Sequence, residues 1–302
     1  KRIEGMRPFI ETMTEELIDQ WIDEGEVDLL NRLCVPLPIY VIADQLGVPR
    51  SELTLLKKWS DASASRLGQL ADEEQQLENA KDIVEFQHYF ADLIDRKREQ
   101  PEDNIISDLA NNTIDEGRLL TKPEILGMVQ QILVAGNETS TNAIAGGVVL
   151  LIQNPEEQAK LRANPALIPG AVEEILRLET PTAGMWRSVT EDTVVGGVDI
   201  PEGSFLMVRF AAGNRDESIF PCSGAMQVER DNADSHMAFG QGTHFCLGAQ
   251  LARTELQIAL TTLLRRTDNW GLVEGKNTLE HHPNVLLRGL MALHIAFDKA
   301  TV

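Results

Sequence analysis

Cys246 ends the run Phe239-Gly240-Gln241-Gly242-Thr243-His244-Phe245-Cys246-Leu247-Gly248, just before a segment with helical periodicity. A thiol at a helix N-terminus faces unpaired backbone N–H groups and the positive end of the helix dipole, which lower its pKa and favour the thiolate. Gly240 and Gly242, one residue apart, permit positive φ and a close backbone approach to a bulky group. Phe239 and Phe245 can shield the sulfur from water, and Gly248 lets the first helical turn lie flat against a planar surface. This arrangement suits a thiolate that binds metal on one side and receives tuning N–H hydrogen bonds on the other. Two other readings stand beside it. A lone intracellular cysteine usually ends as a small buried hydrophobe. Cys222, His236, His244 and Cys246 also offer four zinc ligands, although their spacing follows none of the familiar zinc patterns.

A second set of residues lies in a long apolar stretch with a polar middle, Ala135-Gly136-Asn137-Glu138-Thr139-Ser140. A carboxyl and a hydroxyl inside an oily helix need hydrogen-bond partners. Gly136 leaves room for a small ligand and weakens the helix by about 1 kcal/mol relative to Ala. Thr139 has the carbonyl of Ala135 within reach, a contact that opens or bends a helix. A third set is Glu173-Glu174-Ile175-Leu176-Arg177, where Glu174 and Arg177 share a helix face. Alone, such a pair is usually a solvated surface bridge of little energetic weight.

The run FGQGTHFCLGAQLARTEL resembles the cysteine-ligand loop and following helix of the cytochrome P-450 haem-thiolate monooxygenases, a family whose thiolate pushes electron density towards O–O cleavage. The resemblance covers essentially the whole chain and implies a mainly α fold with small β-sheets, carrying haem b. It makes Cys246 the metal ligand, with Phe239, Gly240, Gly242, His244 and Gly248 around the cofactor. The stretch 135–140 resembles the oxygen-binding helix of the family. Ala135 and Gly136 then lie against the cofactor, and Glu138 and Thr139 form the acid-alcohol pair that delivers protons to bound dioxygen. Arg187 and His244 resemble the contacts to the haem propionates, which need cationic partners. Glu174 and Arg177 correspond to a buried structural pair completed by a basic residue, for which Arg230 is favoured over Arg215. Substrate-lining positions are Val134, Thr182, Ala183, Met185, Val285 and Leu286, mostly apolar as an apolar ligand requires.

The elements that must position these residues are legible from periodicity and punctuation. Helices are predicted near 6–24, 35–47, 51–68, 73–99, 104–110, 122–152, 155–163 and 168–178, several bounded by Pro49, Pro101, Pro123, Pro155 or Pro165. Beyond Pro181 the pattern changes. Gly196-Gly197 between two β-branched runs predicts a hairpin, 205–210 a strand, 247–264 a helix and 290–297 a final strand. The stretch 211–243 reads as irregular. One domain is expected over 1–302, helix-rich to 180 and mixed strand, meander and cysteine loop thereafter. Relative to the family it is expected to lack N-terminal residues that close one side of the haem pocket, so the chain by itself is expected to bind haem poorly.

Composition narrows the partners. The chain has 302 residues and 43% hydrophobic content, enough for a sizeable core; Lys and Arg number 27 against 47 Asp and Glu, for a net charge of -20. So acidic a surface repels phosphate backbones and excludes nucleic acid as a ready partner. The apolar stretch 125–152 is broken by Gln130, Gln131, Asn137, Glu138 and Asn142 and reads as a buried helix, so no membrane segment is expected. Three scattered cysteines without a CxxC pair argue against a disulfide scaffold and fit a reducing cytoplasm.

The leading functional expectation is therefore an oxygen-dependent monooxygenase that acts on a hydrophobic small molecule. It lacks flavin and nicotinamide motifs, so electrons come from a ferredoxin-type partner and its reductase, with Arg253 a candidate docking cation. A peroxide-driven peroxygenase on the same fold is one alternative. A non-catalytic haem-binding protein or inactive fragment is another.

Overall fold

The computed structural model describes residues 2–68, 71–114 and 117–301. Its helices are α1 (Arg2–Asp19), α2 (Pro36–Leu46), α3 (Leu53–Ala64), α4 (Glu73–Glu99), α5 (Ile105–Asn111), α6 (Lys122–Gln153), α7 (Pro155–Ala163), α8 (Ile168–Glu179), α9 (Phe210–Gly213) and α10 (Ala249–Arg266). Short strands join them: β1 (Glu26–Asp28), β2 (Met185–Ser188), β3 (Thr193–Val195), β4 (Val198–Ile200), β5 (Phe205–Val208), β6 (Thr267–Leu272) and β7 (His294–Lys299). The architecture is mainly α with three small antiparallel sheets among the described residues, ordered β1-β7-β6, β2-β5 and β3-β4.

Local chemistry explains most boundaries. At the start of α6, Thr121 and Glu124 form a capping box with a proline in the first turn, which satisfies the otherwise orphaned N–H groups. Asp72 caps α4 by accepting the N–H of Gln75, and the left-handed Gly47 closes α2. The Gly196-Gly197 turn joins β3 to β4 with both glycines at positive φ.

α1 ends at Asp19, earlier than its hydrophobic spacing predicts. Trp21 and Ile22 are buried in the turn that follows, and Trp21 packs edge-on against Phe297, 5.2 Å between ring centroids. Their periodicity records burial, while the chain turns at left-handed Gly25 into β1. The helix expected at 51–68 likewise stops at Ala64. Strands β1, β2 and β6 have no local signature, and all find partners distant in sequence. Within the stretch read as irregular, α9 makes a single helical turn.

Two hydrophobic clusters share α6. Ile125, Val129 and Leu133 join α2, α3, α4 and α5, whereas Ala143, Ile144, Val148 and Leu151 join α1, α8, α10 and β7. The polar middle of α6 lies between them. Its demands are met by neighbours: Asn137 donates to Ser60 Oγ (3.0 Å), and Thr141 donates to the carbonyl of Cys34 (3.0 Å). None of the described helices is long and apolar enough to cross a membrane.

Candidate active site

The cysteine loop is built by glycine conformation and one backbone hydrogen bond. Gly240 and Gly242 have φ of +69° and +70°, values that penalise any side chain. The turn brings the N–H of Cys246 onto the carbonyl of Phe239 at 2.9 Å, and the N–H of Phe245 onto Gly242 at 3.0 Å. A Cβ on Gly248 would lie 3.9 Å from Cys246 Sγ, in ordinary contact with the thiol. Cys246 is exposed, Phe245 is half exposed, and Leu247 is 96% exposed.

The lowered thiol pKa expected at this helix start is not what the chain shows. Protein packed behind the sulfur costs the thiolate hydration and holds the pKa above its ordinary value, and the Gly248 N–H, the Arg253 charge and the Ala249 N–H lower it by less. The zinc reading also fails on geometry. Cys222 sits in its own exposed left-handed turn, His236 is buried against Glu173, and no group of three His, Cys, Asp or Glu among the described residues is placed to hold a metal ion.

Behind the loop, the adjacent glutamates of α8 run two separate networks. Glu174 and Arg177 are both 0% exposed. Arg177 donates to both Glu174 oxygens (2.7 and 2.8 Å) and to the carbonyls of Asn214 and Ser223. Arg230 completes the cluster, donating to Glu174 at 3.0 Å and to the carbonyls of Pro221, Cys222 and Ala225. The other candidate, Arg215, donates instead to the carbonyl of Leu178. Five loop carbonyls of 214–225 thus converge on two guanidinium groups, which fold the irregular stretch against α8.

Glu173 faces the cysteine loop. Arg253, on α10, grips it with two hydrogen bonds of 2.8 Å, and its guanidinium carbon stands 4.6 Å from the centroid of the Phe239 ring. Arg253 is therefore not the free docking cation expected from sequence: its charge is already paired.

α6 runs unbroken through Glu138 and Thr139. Thr139 Oγ1 donates to the carbonyl of Ala135 at 2.7 Å. Glu138 lies 3.5 Å from Lys57 of α3, which also pairs with Asp61. Burial raises the Glu138 carboxyl above its ordinary pKa; Lys57 lowers it and Asp61 raises it again. A cleft of about 210 Å³ is lined by Lys57, Asp61, Glu138, Asn142 and His282, among others. The room expected at Gly136 is taken. A Cβ there would meet Ile42 Cδ1 at 2.5 Å, so this glycine serves the close approach of α2 to α6. Ala135, in contrast, is exposed on the face of the helix.

The substrate-lining candidates fall into a shared ladder and one separate position. Ala183 donates to the carbonyl of Leu286 at 2.7 Å, and Thr182 bridges Leu287, so 182–185 and 285–286 run side by side. Met185 and Val285 are exposed, Leu286 is buried, and Val134 is buried on α6. Arg187 lies on β2 and donates to the carbonyl of Trp186; His244 is exposed in the loop.

Sequence reasoning passed over three residues that the fold makes prominent. Lys57 and Asp61 carry no motif, and only the packing of α3 on α6 brings them to Glu138. Glu255 of α10 is 0% exposed, with neither oxygen in a hydrogen bond of ordinary geometry. Burial pushes its carboxyl up to about 8, and the nearby Ser140 hydroxyl offsets this in part. A carboxyl among the apolar positions of a helix was the one available signal.

A family model described as Cytochrome P450 matches residues 72–268. Cytochrome P450 107B1 of Saccharopolyspora erythraea is 38% identical over 98% of this chain and 71% of its own length. The 6-deoxyerythronolide B hydroxylase of the same organism is 36% identical, covering 99% of this chain and 72% of that protein. Among solved structures, P450BioI in complex with an acyl-carrier-protein-linked hexadecenoic acid superposes with a TM-score of 0.92 at 33% identity, covering 98% of this chain and 74% of the other. Sequence over nearly the whole chain and the fold are both shared with these relatives, and the chain belongs to the cytochrome P450 family of monooxygenases.

Proposed function

We propose that this chain inserts one atom of dioxygen into a hydrophobic small molecule, in the reducing cytoplasm, with electrons supplied by a ferredoxin-type protein and its reductase. The observation that carries the reading is the cysteine loop. A free thiol is presented at an open surface by two obligatory glycine conformations and flanked by exposed apolar side chains. Exposed apolar groups around a thiolate donor fit a large, flat, apolar cofactor. Haem b would be held by Cys246 as the metal ligand, with Phe239, Gly240, Gly242, His244 and Gly248 around it, Ala135 as a further contact and Arg187 as a cation for its propionates. Bound there, haem supplies the iron that binds and activates dioxygen.

The chain's own residues supply protons and orientation. Thr139 keeps its hydroxyl against the Ala135 carbonyl, presenting the oxygen beside the open face of α6. Glu138 is the proton holder. Its raised pKa keeps a proton available nearer neutrality than an ordinary carboxyl would, and the polar cleft with Lys57, Asp61 and His282 connects it to water. Thr182, Ala183, Met185, Val134, Val285 and Leu286 exclude water and hold the apolar substrate. Among relatives, one is a 6-deoxyerythronolide B hydroxylase and another a steroid C26-monooxygenase, which supports a bulky apolar substrate class.

The test is the reduced, carbon-monoxide-bound visible spectrum of the haem-loaded protein, with Cys246→Ser beside it. A thiolate-type Soret band that vanishes in the variant is the expected result, and a band that survives the substitution sinks the assignment. Glu138→Gln is expected to lower oxygen-dependent turnover by about 10²-fold with substrate-binding spectra unchanged. Peroxide-supported turnover is expected to change far less, and equal losses in both assays would remove Glu138 from proton delivery.

A further inference from the structure

The network around Glu173 reaches the cysteine without touching it. Glu173 Oε1 and Oε2 each accept from Arg253 at 2.8 Å, and Oε2 also lies 3.2 Å from His236 Nε2, off the donor axis. The N–H of Ala238 donates to His236 Nδ1 at 3.1 Å, which leaves the ring proton on Nε2, facing Glu173. Arg253 and His236 both flank Phe239, at 4.6 and 5.6 Å from its ring centroid. Phe239 is the residue whose carbonyl receives the Cys246 N–H. Glu173 thus grips Arg253 and faces His236, and these two side chains together flank the ring and, through it, the carbonyl on which Cys246 hangs. His236 is buried and Arg253 is mostly buried, so the contacts persist with little competition from water.

We propose that Glu173 is a positioning residue for Cys246, anchoring the cysteine loop through His236, Arg253 and Phe239 and cancelling the positive charge of Arg253 beside the thiolate. The proposal rests on Cys246 being the haem ligand. The Glu173 carboxyl is held at about 2, because His236 and Arg253 outweigh the burial that pushes it up, so its negative charge is present throughout the working pH range. Without it, the guanidinium on Phe239 is a bare cation near the metal ligand. A bare cation there draws charge from the thiolate and favours the reduced form of the metal.

The experiment measures the reduction midpoint potential and the reduced carbon monoxide spectrum of haem-loaded wild type, Glu173→Gln, Arg253→Met and the double variant. In Glu173→Gln the potential is expected to rise, corresponding to a shift on the order of tenfold in the reduction equilibrium. Adding Arg253→Met is expected to return it close to wild type, because the uncompensated charge is gone. A purely structural contact predicts no such recovery. An unmoved potential in Glu173→Gln, or one the double variant fails to restore, overturns the proposal. If wild type takes up haem yet lacks the thiolate band, the haem-ligand reading fails instead, and the two failures are told apart. Should Glu173→Gln not take up haem, amide hydrogen exchange of Cys246 in the haem-free chain decides. Glu173→Asp, which keeps the charge but shortens the reach, is expected to speed that exchange about tenfold or more while amides of α4 stay unchanged. An unchanged Cys246 rate overturns the positioning role.

Discussion

Glu174 and Glu255 are equally buried and chemically opposite. Both are 0% exposed. Around Glu174, on the face of α8 that receives the 214–230 stretch, both oxygens accept from Arg177 and Arg230, and the Gln227 N–H adds a further bond. In the seam between α10 and α6, Glu255 has no cation partner and no well-formed hydrogen bond among the described residues. The first site tolerates a charge because charge-assisted bonds offset the lost hydration. The second cannot, so its carboxyl keeps its proton to about pH 8. Burial alone does not say what an acid does. Its partners decide.

The largest effect expected from disturbing this contrast is at Glu174. Glu174→Ala strands Arg177 and Arg230 in a dry cluster and is expected to cost about 3–5 kcal/mol, read from chemical denaturation at neutral pH. A loss under about 1 kcal/mol would mean the cluster behaves as a surface pair. Glu255 gives the next effect, with a definite sign. Its pKa is raised on folding from 4.5 to about 8, so the folded chain binds the extra proton between those values. Stability from this group is full below about pH 4.5 and is lost as pH rises through about 8, in total on the order of several kcal/mol. Glu255→Gln is expected to flatten that slope in denaturation midpoints measured from pH 5 to 8.5, and an unchanged slope would remove Glu255 as its source. Ser140→Ala should have the smallest effect. The hydroxyl eases the Glu255 charge, so its loss is expected to move the carboxyl titration upward by less than about one unit, followed by NMR of the labelled side chain.

The same contrast separates what was legible from what was not. The Glu174–Arg177 spacing is visible as a shared helix face, and its third member was narrowed to Arg230 or Arg215. Glu255 leaves only a faint mark, a carboxyl among apolar helix positions, because a Glu in an amphipathic helix is ordinarily on the solvated side. Glu173 and Glu174 are neighbours in sequence yet serve different networks, since successive positions on a helix point about 100° apart.

What the chain determined by itself was local. The capping box at Thr121 and Glu124, the Gly196-Gly197 turn and the two left-handed glycines before Cys246 follow from interactions within four residues or so. These bonds form wherever the segment folds, so the sequence states them directly. The tertiary structure decided which long-range partners meet. Ile42 fills the room at Gly136, Lys57 comes to Glu138 from 81 residues away, and Arg253 comes to Glu173 from 80. Such pairings depend on how two hydrophobic clusters pack α6 against α2 and α3, and α10 against α8, and no local rule encodes the result. Cys246 was presented by its own loop; its electrostatic surroundings were set by packing.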